Sequence, residues 1–170
     1  TVESAPVADL LRAMNVSSDN FVAEQLARTV ASERRDEGSW SAWESLATDY
    51  LRDCGAAACR IRDGSGLSRY NLVTARGMVG LLARADDAPW ADAFFDSLPA
   101  PGEGTLSSRL EGVEGLRAKT GTVTGTSALS GVIRREESSD VFFSVVYGGL
   151  TVEADEARRR QDEFVRKLLT

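Results

Sequence analysis

The run Val141-Phe142-Phe143-Ser144-Val145-Val146 constrains the fold more than any other stretch of the chain. A β-strand turns successive side chains to opposite faces, and this one is apolar on both, so it has to be covered on both sides. Two further strand-like stretches precede it, 116–124 and 127–135, each ending at residues that suit turns. The connections between the three are too short to hold a crossover helix, which makes neighbouring strands antiparallel. The covering layers have to come from helices on either side of the strands in sequence.

Helical patterns are plain upstream. Ser4 and Pro6 suit the start of a helix with Val7, Leu10, Leu11 and Met14 on one face, ending near Asn15. Val22, Leu26 and Val30 recur every four residues behind Ser17-Ser18-Asp19-Asn20, which places that polar cluster at the N-terminus of a second helix. Trp40, Trp43, Ala47, Tyr50 and Leu51 mark a third, after a Gly38-Ser39 break. Thr74 suits the cap of a fourth carrying Met78, Leu81 and Leu82, the stretch 88–98 suits a fifth, and Pro99-Ala100-Pro101-Gly102 closes the helical part. Beyond the strands, 154–169 predicts a last helix with Phe164, Val165, Leu168 and Leu169 along one side and a solvated charged stretch at 158–163. The expected class is α/β of the α+β type, an antiparallel sheet packed with helices: mainly helical over 1–100, strand-bearing over 101–170.

Composition narrows the chemistry. The 170 residues carry 20 Lys plus Arg against 26 Asp plus Glu, and a net charge of −6 argues against nucleic acid as a partner. Histidine is absent, which removes Ser-His-Asp and Cys-His catalysis and imidazole-based zinc sites; no metal is expected. Acid–base work falls to Lys, Asp, Glu or Tyr. Only Lys119 and Lys167 are lysines, so only two amines can titrate usefully, arginine staying protonated throughout. No apolar run approaches the ~18 residues of a membrane span. The chain begins without Met, as a processed protein or an excised piece would. Cys54 and Cys59, the only cysteines, read either as two small buried apolar side chains or as a short-loop disulfide.

Two clusters carry chemistry. Lys119-Thr120-Gly121-Thr122 lies on the first strand, where a glycine lets a ligand approach the backbone and the flanking hydroxyls and ammonium can hold a carboxylate. Ser18-Asp19-Asn20 offers a hydroxyl, a carboxylate and an amide at a helix start. Taken separately, the first is a strand facing water and the second an N-cap. Together, with Ser-x-Asn about a hundred residues before Lys-Thr-Gly, they match the motif pair of penicillin-binding proteins and β-lactamases.

The stretches Ser17-Ser18-Asp19-Asn20-Phe21-Val22-Ala23-Glu24, Asp63-Gly64-Ser65-Gly66-Leu67-Ser68-Arg69 and Lys119-Thr120-Gly121-Thr122, in this order, resemble the D-alanyl-D-alanine carboxypeptidase/endopeptidase branch of penicillin-binding proteins. The resemblance implies the penicillin-binding-protein/serine β-lactamase-like transpeptidase fold, present as the C-terminal part of the catalytic domain. It implies hydrolysis of peptidoglycan stem peptides through an acyl-serine, with no cofactor and an extracytoplasmic location. It makes Ser18, Asn20 and Lys119 catalytic and Thr120, Gly121 and Thr122 substrate-binding, with a stem peptide or a β-lactam as ligand. Asp19 is left with capping, and the Asp63-Gly64-Ser65-Gly66 loop with shaping the site.

One departure matters. The nucleophile of this family belongs to a Ser-x-x-Lys motif, whose lysine one helical turn on takes the serine proton. Here the residues three before the two lysines are Leu116 and Phe164, so neither completes the motif. The resemblance therefore implies a partner: the N-terminal part of the same protein, carrying Ser-x-x-Lys, without which the chain is inactive. A β-lactamase of the same superfamily and a non-catalytic peptidoglycan-binding module are the competing readings.

Overall fold

A computed structural model describes residues 3–169. Five helices come first: α1 (Val7–Ser17), α2 (Asn20–Arg35), α3 (Trp40–Asp53), α4 (Ala75–Asp86) and α5 (Ala91–Ser97). A 3-10 turn at Gly104–Leu106 leads to β1 (Leu116–Val123), β2 (Thr126–Ile133) and β3 (Val141–Gly148), and α6 (Ala154–Lys167) follows. The helix starts are set locally. Asp19, Ser39 and Thr74 each accept a backbone N–H, from Val22, Ala42 and Gly77, and so cap α2, α3 and α4; each such cap is worth about 1 kcal/mol.

The strands pair antiparallel in the order β1-β2-β3. Thr124 and Gly125 form the tight turn between Val123 and its partner Thr126, and Gly125 takes the positive φ of 74° that such hairpins require. Register then sorts the side chains. Leu116, Ala118, Leu129, Ile133 and Phe143 share one face and pack with Leu106, Leu110, Val113 and Val165 of α6 in the main core. Val132 and Phe142 point to the other face, against Leu82 and Ala85 of α4 and Phe95 and Leu98 at α5. The sheet is thus covered on both faces, with α1 to α5 on one side and α6 with the loop before β1 on the other.

Several expectations are corrected by this arrangement. The most deeply covered strand is β2, where Ser127 and residues 129–133 are buried; β3 has only Phe143 buried, because it lies at a sheet edge. The inner face of α2 is formed by Ala27 and Ala31, and Val30 faces out, because the helix makes a close approach that only small residues permit. A Cβ on Gly64 would lie 2.7 Å from Ala27 Cβ. Ser4 does not cap α1: its hydroxyl donates to Ala5 O, and the helix starts behind Pro6 and runs to Ser17, beyond Asn15. Trp40 and Tyr50 are exposed.

The Cys54–Cys59 bridge does not form. Both are buried free thiols directed at different helices. Cys54 ends α3 beside the Tyr50 hydroxyl. Cys59 Sγ accepts the Thr74 N–H at 3.4 Å, and a Cβ on Gly77 of α4 would lie 2.5 Å from it.

Candidate active site

The first wall of the site is the corner between α1 and α2. Ser18 closes α1 in the left-handed conformation, φ 58° and ψ 48°, and its backbone N–H reaches Met14 O. A non-glycine residue there costs on the order of 1–3 kcal/mol, so the surrounding bonds must hold it. They do: Asp19 N–H also donates to Met14 O at 3.0 Å, and the Asp19 carboxylate caps the next helix. The corner turns Ser18 and Asn20 outward, and both are exposed.

The second wall is β1. Its Ala118 N–H donates to Pro99 O at 3.0 Å, away from β2. By strand alternation, the N–H and C=O groups of Thr120 and Thr122 point to that same outer edge, which no strand among the described residues occupies. Lys119 lies on the sheet face opposite Ala118, the face covered by the helices. Its Nζ curls over the open edge to stand 2.9 Å from Ser18 Oγ and 2.8 Å from Thr120 O, donating to both.

The electrostatics of that ammonium are unusual. Burial alone lowers the Lys119 pKa below its ordinary 10.5. Among the described residues no carboxylate comes within ion-pair distance of it, so it is a partly desolvated cation held by two neutral oxygens. Such a group attracts an anion.

Ser18, Lys119 and the Thr120 carbonyl are therefore brought together across 101 residues of sequence. Other residues of the predicted set are near but separate. The Thr120 and Thr122 side chains alternate to the Ala118 face, and the Asn20 amide makes no side-chain hydrogen bond among the described residues. Gly121 is exposed, and a Cβ there would meet only Ala128 Cβ at an ordinary 3.7 Å, so internal packing does not demand glycine. Its bareness opens the strand surface instead.

The loop 63–66 is firmly built. The Asp63 carboxylate accepts the Gly66 and Ser68 N–H groups and the Asn71 amide, and a Cβ on Gly64 would lie 2.6 Å from Ala23 O of α2. Sequence reasoning gave Glu24 no role. It accepts the Ser65 N–H and hydroxyl and the Trp40 indole N–H, tying this loop and α3 to α2. Burial pushes the Glu24 carboxyl up, but the bonds from Ser65 and Trp40 outweigh it and hold the pKa below 4.5. An acidic residue on the inner flank of a helix otherwise lined by alanines was the available signal.

Ser18 and Lys119 lie on an open surface. A cavity at the tip of the hairpin, lined by Thr122, Val123, Thr124, Leu150 and Val152, adjoins the strand end instead.

An antiparallel three-stranded sheet covered by helices on both faces is the fold that the chain shares with solved penicillin-binding proteins and class A β-lactamases. Penicillin binding protein 4 from Haemophilus influenzae, complexed with a β-lactam, superposes on 98% of the chain with a TM-score of 0.77 at 28% identity, 41% of that protein being covered. A class A β-lactamase of the last common ancestor of Gram-negative bacteria shares the fold, with a TM-score of 0.73 over 98% of the chain and 65% of its own, at 21% identity. The model of the D-Ala-D-Ala carboxypeptidase 3 (S13) family matches residues 1–169, and the chain belongs to that family.

Among its relatives are a D-alanyl-D-alanine carboxypeptidase of Actinomadura sp., 40% identical over 157 residues, and Carboxypeptidase DacB of Mycolicibacterium smegmatis, 34% identical over 157 residues. The matches take in 86% and 85% of this chain but 29% and 34% of those relatives, so the chain spans about a third of their length.

Proposed function

We propose that the chain is the C-terminal part of the catalytic domain of a serine-type D-Ala-D-Ala carboxypeptidase/endopeptidase that acts on peptidoglycan stem peptides outside the cytoplasmic membrane. The nucleophile comes from a preceding Ser-x-x-Lys segment. The observation that carries this reading is the 2.9 Å contact of Lys119 Nζ with Ser18 Oγ. Nothing in local structure requires a partly buried ammonium to meet an exposed serine at a strained corner.

The chemistry follows from these positions. The incoming serine attacks the carbonyl between the last two D-alanines, its proton passing to the lysine one turn away. Ser18 delivers its hydroxyl proton to the leaving amine and takes back the proton that the incoming lysine received, so the relay ends with Ser18 neutral. Because the Lys119 ammonium donates to Ser18 Oγ, the hydroxyl hydrogen of Ser18 stays free to be given away. D-alanine departs, and water then releases the acyl group. The Thr122 N–H, on the open edge of β1, supplies one half of the oxyanion hole and the serine N–H the other. The terminal carboxylate meets the Lys119 ammonium where it curls over the open strand edge, with no competing anion among the described residues, and the hydroxyls of Thr120 and Thr122 reach that edge from the opposite face of the strand. Gly121 leaves the strand bare for the peptide, and Asn20 spans the substrate backbone and the incoming lysine.

The outer edge of β3 also supports an added segment. Among the described residues it has no strand partner, and its side chains are half-covered on both faces. Among the described residues no helix is long and apolar enough to cross a membrane.

Labelling with a fluorescent penicillin tests the reading. The chain by itself stays unlabelled, since loss of nucleophile and base costs on the order of a millionfold in rate; joined to its upstream segment it takes a long-lived label. Rapid turnover of the β-lactam by the joined protein would make it a lactamase. Binding of a D-alanyl-D-alanine peptide by this chain, with no label in any longer form, would make it a binding module.

A further inference from the structure

Ser18 caps the end of α1 and Lys119 sits on β1, and one short segment fastens both elements. Asn15, a single turn before Ser18, is 7% exposed and donates its amide Nδ2 to Ser97 Oγ at 2.8 Å. Ser97, 1% exposed and the last residue of α5, passes its own hydrogen to Phe94 O at 2.6 Å, so its hydroxyl has one orientation. Two residues on, Pro99 O takes the N–H of Ala118, the residue directly before Lys119. The path from the Ser18 corner to the Lys119 strand therefore runs through Asn15, Ser97 and Pro99, with a hydrogen bond at each end.

We propose that the Asn15–Ser97 hydrogen bond is the positioning contact that registers Ser18 against Lys119, Asn15 and Ser97 acting through those two residues and touching no substrate. This rests on the reading of that pair as part of the active site. Burial gives the contact its authority, because an amide removed from water has to keep its partner and so fixes the height of α1 on α5. An exposed clamp follows the same path: Arg12 of α1 pairs with Glu103 at 2.8 Å, and Arg117 of β1 lies 3.5 Å from the same carboxylate. Its groups are solvated and contribute little rigidity. The buried bond is the one whose loss shifts the corner.

The two-lysine composition makes the test direct. With isotopically labelled lysine, the chain gives signals from Lys119 and Lys167 only, and the nuclear Overhauser contact between the Lys119 ε-methylene and the Ser18 β-protons reports the pair. Ser97→Ala is expected to abolish that contact while the Lys167 signals and the overall fold spectrum stay in place; a fold without the contact is something that a merely stabilising bond would not produce. If Ser97→Ala unfolds the chain, the near-isosteric Ser97→Cys carries the same readout. Retention of the contact in a folded Ser97 variant overturns the positioning role and leaves the functional reading intact. Absence of the contact in the unsubstituted chain overturns the functional reading itself.

Discussion

Lys119 stands directly across from Ser130 on β2, and the Ser130 hydroxyl is already bonded to Ser144 on β3 at 2.8 Å. The floor beside the lysine stem is a pair of satisfied hydroxyls that provide no counter-charge. Burial therefore acts on the ammonium unopposed, and its pKa falls.

That shift has a signature in stability. Below its folded value Lys119 is charged in both states and the buried charge is a penalty; between the folded value and 10.5 the unfolded chain binds the extra proton, so stability rises with pH. Tyr50 acts oppositely. Although Tyr50 is exposed, its partial burial first, then Cys54, raises its pKa above 10.0, and its contribution is lost as pH climbs through that raised value. Urea denaturation of the chain and of Lys119→Met between about pH 8 and 11 separates the two, since Tyr50 is common to both. The expected difference is a rise that the variant lacks; parallel curves would mean that Lys119 is not desolvated.

Gly64→Ala is expected to destabilise the chain by about 1–3 kcal/mol, the usual range for forcing an atom into a filled space. Its new Cβ would meet Ala23 O at 2.6 Å and Ala27 Cβ at 2.7 Å. A shifted urea midpoint with an unchanged slope is the result anticipated, whereas a neutral substitution would mean that the loop is not seated on α2.

Cys54 and Cys59 are predicted to be silent toward a thiol reagent in the folded chain and to react fully on denaturation without reductant. Two thiols released on unfolding is the outcome for free cysteines. A bridged pair would release none.

How far the sequence spoke for itself varies along the chain for physical reasons. Where a signal is local, as in the Thr74 cap and the three strands, residue type and spacing suffice. The α2 face was misread because pattern analysis looks for large apolar residues, and this interface is made by Ala27 and Ala31 at close range. The run in β3 is apolar on both faces as read, yet position in the sheet decides burial, and β2 occupies the centre. The Ser18–Lys119 contact could be inferred only from two motifs taken together. Asn15 and Ser97 belong to no motif, and a single buried pair 82 residues apart leaves no periodic trace.

The central claim is that Ser18 and Lys119 work as one unit beside a serine contributed by the upstream segment. Its most direct measurement is the second-order rate of penicillin acylation in the longer polypeptide, comparing the unsubstituted protein with Ser18→Ala and Lys119→Met, each verified as folded. Loss of a positioned proton relay predicts a fall of about 10²–10⁴-fold in each, with the double variant no slower than the worse single one. Acylation at the unsubstituted rate in either folded variant would contradict the account.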